Sequence, residues 1–312
     1  MAAMSFQSGL RLTLLAALWG GSFLLMRILA PAIGALPTAF SRVALGALGL
    51  GIVVALTVEP ARRRFGGRWP AVLALGAVNS ALPFLLFAFA AGVLPSGYSA
   101  ILNATAPLAG VLFGAAFFGE RAGPGRLGGV VLGIVGVAVL MRAGPVVADG
   151  TSSLAVAACL AASACYATGG FLARRWLQTV DALDSTSIAF GSQLGATTLL
   201  APFMALSAWR APLDLAVVSP TVAGALLALG LGCTALAYVL YFRLLADIGP
   251  VRTLSVTFLI PLFGVLWGRL VLAEPLTWAH AAGGGLIAVA LWMVLRPVAP
   301  RRPGPEAAHP AP

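Results

Sequence analysis

Seven residues with rings, amides or hydroxyls stand within long apolar runs of this 312-residue chain. Polar side chains inside a membrane face other protein or a cavity, because lipid offers them no hydrogen bonds. Aromatic rings with a polar atom offer a small amphipathic solute both stacking area and a hydrogen bond. The candidate substrate-binding residues are Trp19, Asn79, Tyr98, Asn103, Tyr166, Tyr238 and Thr257.

Each candidate also has an interpretation without a ligand. A Tyr or Trp near the end of a span often anchors it at the membrane interface. An isolated Asn often bonds to a neighbouring helix, and Gln193 is interpreted in this second way. The sequence leaves both interpretations open for the seven candidates.

The composition identifies lipid as the solvent of this chain. Hydrophobic residues make up 60% and charged residues 9%, with a mean hydropathy of +1.00, whereas soluble domains carry about 25% charged residues. The net charge of +10 comes from Arg alone, in short clusters between apolar runs. This pattern is typical of membrane proteins rather than of a nucleic-acid-binding face.

Apolar runs long enough to cross about 30 Å of hydrocarbon occur ten times. We therefore predict an all-α integral membrane protein with ten transmembrane helices. The predicted spans lie near residues 10–30, 36–58, 69–91, 97–118, 126–142, 152–173, 182–208, 220–242, 251–272 and 277–296.

An internal repeat divides these spans into two groups of five. Residues 107–114 read PLAGVLFG and residues 261–268 read PLFGVLWG, and the same offset of 154 residues pairs Glu120 with Glu274. Because five is odd, the second copy enters the membrane inverted, as in many secondary transporters. The predicted units are repeat 1 at 12–142, repeat 2 at 152–296 and a disordered cytoplasmic tail at 297–312.

Pro107 and Pro261 head the two matching segments. A proline inside a helix removes a hydrogen bond and bends or loosens the helix. Matched breaks in two halves indicate a binding site near the midplane, so both prolines are predicted hinges. A packing kink without substrate contact is the alternative.

Short motifs occur in both halves of the chain: Trp19-Gly-Gly-Ser-Phe23, Asn103-Ala-Thr-Ala-Pro-Leu108, Gly119-Glu120, Ala237-Tyr238, Pro261 and Glu274. With these motifs the chain resembles the EamA-type branch of the drug/metabolite transporter superfamily over about 12–296. The resemblance implies an exporter-like carrier of small metabolites such as amino acids, with a central cavity lined mainly by helices 1, 3, 4, 6, 8 and 9.

The acidic residues restrict the mechanism. All nine lie in loops, at helix ends or in the tail, whereas proton relays and cation sites in membranes rely on buried Asp, Glu or His. We therefore expect facilitated diffusion or exchange of a neutral, zwitterionic or anionic solute by alternating access, without catalytic residues, metal or cofactor.

Glu120 and Glu274 are predicted to accept hydrogen bonds at the start of the following helix. The alternative, an integral-membrane enzyme acting on lipid or isoprenoid, needs clustered catalytic groups that the spans lack.

The arginines predict the orientation. With both termini in the cytoplasm of a bacterium, the cytoplasmic side of the inner membrane receives most of the Arg residues. Arg27, Arg42 and Arg269 lie within spans, near the outer ends, where a long side chain can snorkel to the interface. Arg42 is the most interior, and it is the candidate for an outer-mouth charge that attracts a carboxylate or phosphate. The predicted partners are a small-molecule substrate and the bilayer, without nucleic acid, and a monomer is compatible with the sequence.

Overall fold

The computed structural model describes residues 5–59, 68–117, 119, 122–143, 149–177, 184–212 and 215–295. Nine helices in this part of the chain are long and apolar enough to cross a membrane, and a tenth has 17 residues. This confirms the predicted all-α, ten-helix class, while the predicted tail at 297–312 lies outside the described residues. The helices are α1 Phe6–Ile33, α2 Ala35–Thr57, α3 Trp69–Ala91, α4 Ser96–Phe117, α5 Pro124–Ala143, α6 Gly150–Leu177, α7 Ser185–Arg210, α8 Pro220–Gly249, α9 Val256–Leu272 and α10 Trp278–Leu295.

Local chemistry defines where the helices begin and end. The Ser5 hydroxyl accepts a hydrogen bond from the Ser8 amide at the start of α1, and the Asp184 carboxylate caps α7 in the same way. Such caps satisfy amides that have no partner within the helix. Gly34 ends α1 with a positive φ of 89°, which allows α2 to begin directly after it.

Helices α5 and α10 pack against each other in opposite directions. A Cβ on Gly129 would lie 3.0 Å from the carbonyl oxygen of Ala290, and a Cβ on Gly283 would lie 2.9 Å from that of Gly136. The residue nearer the end of α5 therefore contacts the residue nearer the start of α10, which means that the two helices run antiparallel. The repeat offset relates Gly129 to Gly283 and Gly136 to Ala290, so the two contacts are equivalent. This antiparallel pair is the signature of an inverted repeat.

The two halves interleave rather than sit side by side. Helix α1 packs on α8 and α9, α2 on α7 and α8, α3 on α7, and α4 on α6. At the crossing of α1 and α9, a Cβ on Gly20 would lie 2.9 Å from the amide nitrogen of Gly264. Small residues at such crossings let the backbones approach closely. Many large apolar side chains are exposed, as expected of a surface that faces lipid, and they include Leu48, Ile52, Leu56, Phe203 and Leu266.

Helices α3 and α8 each contain a wide π-helical segment, over Ala77–Ala81 and Ala228–Leu236. By the repeat offset, the segment of α3 corresponds to residues 231–235, which lie within the segment of α8. Helix breaks were predicted only at Pro107 and Pro261. Pro83 follows the first segment by two residues and has no amide to donate to the Asn79 carbonyl, whereas no proline lies near the second segment. Because π-turns in membrane and soluble helices often occur at functional sites, these matched segments indicate where to look for one.

The two repeat prolines have different surroundings. Helix α4 is interrupted by a turn at Ala104 and Thr105, and Pro107 is the second residue of the helical segment that follows. Helix α9 instead continues through Pro261, and the corresponding turn lies upstream at Leu254 and Ser255. The interruptions are therefore present in both halves but are not aligned on the prolines.

Polar contacts join helix ends at both faces of the bundle. At the face where α1 begins, Arg11 pairs with Asp247 at the end of α8. At the opposite face, the Glu274 carboxylate accepts hydrogen bonds from the Ser96 amide at 2.9 Å and the Ser96 hydroxyl at 2.8 Å. Glu274 therefore caps α4, not the following helix α10 as predicted, because the turn after α9 folds back over the start of α4. Glu120 lies outside the described residues.

Replacing Glu274 tests this cap. We expect Glu274→Ala to lower the free energy of unfolding by about 1–3 kcal/mol, because two donors of Ser96 lose their acceptor, and Glu274→Gln to lose less. Thermal unfolding of the detergent-purified protein measures the difference, with the exposed loop residue Glu59 replaced by Ala as the control. Equal stability of Glu274→Ala and the wild type would contradict the assignment.

Candidate functional site

Arg42 of α2 is a buried cation in the interior of the bundle, with 6% of its side chain exposed. Its Nε donates to the hydroxyl of Thr234 at 3.3 Å, and one terminal nitrogen approaches the sulfur of Met26 at 3.5 Å. The guanidinium carbon lies 3.7 Å from the centre of the Phe84 ring, a cation–π contact. The groups that surround this charge, from α1, α3 and α8, are all neutral.

The burial of Arg42 excludes snorkelling for this residue. Arg42 lies about 10 Å along α2 from the helix start at Ala35, at 1.5 Å per residue. It shares a buried helix face with Thr38, Ala39, Val43 and Gly46, and this face packs on α8. The side chain is therefore directed into the protein instead of toward the membrane surface. A role at the outer mouth stays a prediction.

Two of the predicted tyrosines lie around the same charge. Tyr166 of α6 and Tyr238 of α8 are close enough to Arg42 to interact with it electrostatically. The Tyr238 hydroxyl also interacts with the side chain of Asn79. Tyr166 stacks on Phe87, with ring centres 6.2 Å apart. Three of the seven candidates, from α3, α6 and α8, are thus brought together near Arg42.

A second polar cluster joins α3 to α7. The Gln193 amide donates to the Ser80 hydroxyl at 2.9 Å, and Ser80 is 3.2 Å from the hydroxyl of Ser192. These side chains are buried, and the Gln193 carbonyl oxygen has no hydrogen-bond partner among the described residues. The contact agrees with the interpretation of Gln193 as a link between helices.

The repeat relates the surroundings of the two clusters. A Cβ on Gly76 of α3 would lie 2.8 Å from the amide of Ala196 on α7. Gly230 of α8 is related to Gly76 by the repeat, and it lies equally close to α2. A Cβ on Gly230 would lie 2.3 Å from the Cβ of Leu45. The pair α3–α7 therefore corresponds to the pair α8–α2.

Arg42 and Gln193 make corresponding contacts, although the offset of 154 residues itself pairs Arg42 with Ala196. Ser80 and Thr234 are related by the repeat offset; Ser80 contacts Gln193 on α7, and Thr234 contacts Arg42 on α2. Arg42 precedes Leu45 by three residues, as Gln193 precedes Ala196. The repeat-related hydroxyls of Ser80 and Thr234 thus contact an amide in one half and a cation in the other, so the interior is electrostatically asymmetric.

Trp19 and Tyr98 have different neighbours. Trp19 of α1 is partly buried and packs against Tyr241 with ring centres 5.6 Å apart. Tyr98 is fully buried, donates to the Leu140 carbonyl at 3.1 Å and meets the edge of His280. Its contacts with α5 and α10 differ from those of the Arg42 cluster, and its hydroxyl already has a partner. The structure therefore does not bring Tyr98 together with Tyr166 and Tyr238.

Asn103 and Thr257 lie at the helix interruptions. Asn103 is the last residue of the first segment of α4 and is partly buried. Thr257 lies near the start of α9, where its hydroxyl donates to the Leu254 carbonyl at 2.7 Å. The two residues are related by the repeat offset, and each lies beside a turn where backbone amides and carbonyls are not all bonded within a helix.

Sequence reasoning missed Ser80, Thr234, Phe84 and Met26. The first two carried a usable signal, because the repeat offset pairs two hydroxyl residues in the middle of apolar spans. Phe84 and Met26 carried none, since single apolar residues in an apolar run are unremarkable. Their contact with Arg42 depends on the packing of α1, α2 and α3.

In the described residues, ten apolar helices in two related halves surround a charged interior site, an arrangement typical of multi-pass membrane transporters. The EamA-like transporter family matches the chain twice, over residues 7–142 and 153–296, and the chain belongs to this family.

Individual relatives agree with this class. An uncharacterized transporter of Archaeoglobus fulgidus is 26% identical over 227 residues, covering 73% of this chain and 78% of its own. The uncharacterized transporter YvbV of Bacillus subtilis is 28% identical over 253 residues, covering 79% and 78%. A crystal structure of a protein that is 22% identical matches with a TM-score of 0.62 over 93% of this chain and 96% of that one, which supports the fold.

Proposed function

We propose that the protein carries small metabolites with a carboxylate and an apolar or aromatic body, amino acids among them, outward by alternating access. The observation that carries this proposal is the burial of Arg42 among neutral groups. A cation inside a membrane protein is expensive unless an anion accompanies it. A solute that brings a carboxylate supplies the missing partner.

The geometry of an arginine suits this role. The planar guanidinium offers five N–H donors and binds a carboxylate through two parallel hydrogen bonds. Its present acceptors, the hydroxyl of Thr234 and the thioether of Met26, are neutral and lie at 3.3 Å and 3.5 Å. A carboxylate forms shorter and stronger bonds than either group, so it competes well for the guanidinium.

The surroundings of Arg42 favour a solute with an apolar body. Phe84, Phe87 and Tyr166 present ring faces or edges near the charge, and Tyr238 with Asn79 adds polar atoms. Small-molecule sites typically combine such apolar walls with a few polar groups that fix orientation. Trp19, Asn103 and Thr257 stay predicted substrate contacts, and Pro107 and Pro261 predicted hinges.

The proposed direction and orientation belong together. The arginine distribution puts the face where α1 begins in the cytoplasm of a bacterial cell, with both termini there. Metabolites made in the cell then move outward down their own gradients, with the two inverted halves, 12–142 and 152–296, closing alternately around the site.

A matched series of phenyl compounds tests the carboxylate. L-Phenyllactate, L-phenylalanine and L-phenylalaninamide share one ring and differ in the charged groups that they bring. We expect phenyllactate to bind most tightly and the amide at least tenfold more weakly than phenylalanine, because the amide has no anionic group for Arg42. Titration calorimetry of the purified protein at constant chloride concentration measures the affinities.

Two results would oppose the proposal. Binding of phenylalaninamide as tight as that of phenylalanine would show that the site does not recognise the carboxylate. Failure of all three compounds to bind would show that small solutes with a phenyl ring are not substrates. Comparing metabolites in the medium of cells with and without overexpressed protein then tests the outward direction with the cell's own solutes.

A further inference from the structure

Arg42 has no counter-ion in the described part of the protein. The carboxylate of Asp247 pairs with Arg11 at one face, and that of Glu274 caps α4 at the other. Asp149 and Asp184 accept hydrogen bonds from the first amides of α6 and α7. Each of these acids is therefore held at a helix end, and Arg42 is surrounded by neutral partners, without a carboxylate among the described residues.

This arrangement bears on how the site moves between the two sides of the membrane. Alternating access requires at least one state in which the site is closed to both sides and has lost most of its water. An unpaired guanidinium opposes such a state, since its desolvation in a low-dielectric interior is costly. A bound anion offsets that cost, and a ligand favours a state to the extent that it binds that state better.

We propose that the protein is an obligatory exchanger, in which the site crosses the membrane rapidly only while Arg42 holds an anionic group. An anion that leaves the cell must then be replaced by one that returns. The proposal rests on the proposed carboxylate substrate and decides between the two coupling modes, diffusion and exchange, that the sequence allows.

The repeat supplies the comparison that isolates the charge. The corresponding contact in the second half is made by Gln193, a neutral side chain that donates to Ser80. The variant Arg42→Gln therefore gives both halves an amide at this contact. If the charge is what slows the empty carrier, this variant reorients without an anion, and its flux becomes independent of solute on the other side.

Flux from proteoliposomes measures this directly. Purified full-length protein is reconstituted, and the lumen is loaded with radiolabelled L-phenyllactate in a chloride-free buffer at pH 8. Equal potassium concentrations with valinomycin hold the membrane potential at zero, so that net anion movement is not arrested by charge. Efflux is then compared with and without unlabelled phenyllactate outside, and protein-free liposomes supply the background.

We expect external phenyllactate to accelerate efflux from wild-type vesicles at least tenfold. For L-phenylalanine efflux, the ratio with and without external L-phenylalanine is expected to be high in the wild type and in Arg269→Gln, which removes an exposed arginine near the end of α9. It is expected to approach one in Arg42→Gln. A role of Arg42 in stability alone would change the amount of active protein but not this ratio.

Each opposing result identifies what fails. Equal wild-type efflux with and without external phenyllactate overturns exchange and leaves the carboxylate transporter in place as a facilitated-diffusion carrier. A tenfold ratio that persists in Arg42→Gln overturns Arg42 as its cause. Absence of both phenyllactate binding and efflux overturns the proposed substrate class, and the exchange proposal with it.

Discussion

Replacing Arg42 by Met is expected to reduce binding and flux of L-phenyllactate about 100-fold without lowering the melting temperature. The loss of affinity reflects a charge pair in a desolvated site, where truncation of one partner costs about 2–5 kcal/mol. Met is long and flexible enough to fill much of the space that the Arg42 side chain leaves against Phe84 and Met26.

The stability part of this prediction separates a binding residue from a structural one. Replacing a buried ion with an apolar side chain of similar size is often neutral or stabilising, and the neutral neighbours of Arg42 lose little when it goes. A residue that serves only the fold would instead lower stability and flux together. Binding residues commonly trade stability for function in this way.

Three measurements make the test of Arg42→Met complete. Thermal unfolding in detergent reports stability, calorimetry reports phenyllactate affinity, and proteoliposome efflux reports flux. Arg269→Met is the matched control, because Arg269 is exposed near the end of α9, and it should change none of the three. If Arg42→Met bound phenyllactate like the wild type, the carboxylate site would have to be sought elsewhere.

The ten spans and the inverted repeat were predictable because both depend on properties that the sequence carries directly. Apolar length sets the number of spans, and an offset of 154 residues relates Gly129 to Gly283 without any knowledge of structure. The direction of one side chain on a helix is a different matter. Nothing in the apolar run around Arg42 reveals which face meets α8, so the sequence favoured snorkelling, which the burial of Arg42 shows to be wrong.

The π-helical segments mark a second limit of the sequence. Pro83 follows the segment of α3 by two residues, but no proline stands near the segment of α8. There the Thr234 hydroxyl donates to the carbonyl of Leu229, five residues earlier. That carbonyl lies within the wide turn, so Thr234 both satisfies the backbone and accepts from Arg42. Such dual contacts arise only when helices from both halves have been packed together.

The contact between α5 and α10 is expected to be the most sensitive point of the fold. We predict that Gly283→Val lowers the free energy of unfolding by about 3 kcal/mol, at the upper end of overpacking effects, and sharply reduces the yield of folded protein. A Cβ on Gly283 would lie 2.9 Å from the carbonyl oxygen of Gly136, and 2.9 Å and 3.0 Å from the Cβ and amide nitrogen of Leu140. Backbone atoms cannot rotate away, so the two helices have to separate.

Gly285 offers the control two residues further along the same helix. It is exposed and has no atom within 4 Å of the place where a Cβ would lie, so Gly285→Val should leave the melting temperature unchanged or slightly higher, since Val suits a helix better than Gly. Thermal unfolding and the fraction of monodisperse protein in detergent compare the two variants. Because α5 and α10 belong to opposite halves, equal stability of Gly283→Val and Gly285→Val would mean that this close contact does not join the halves.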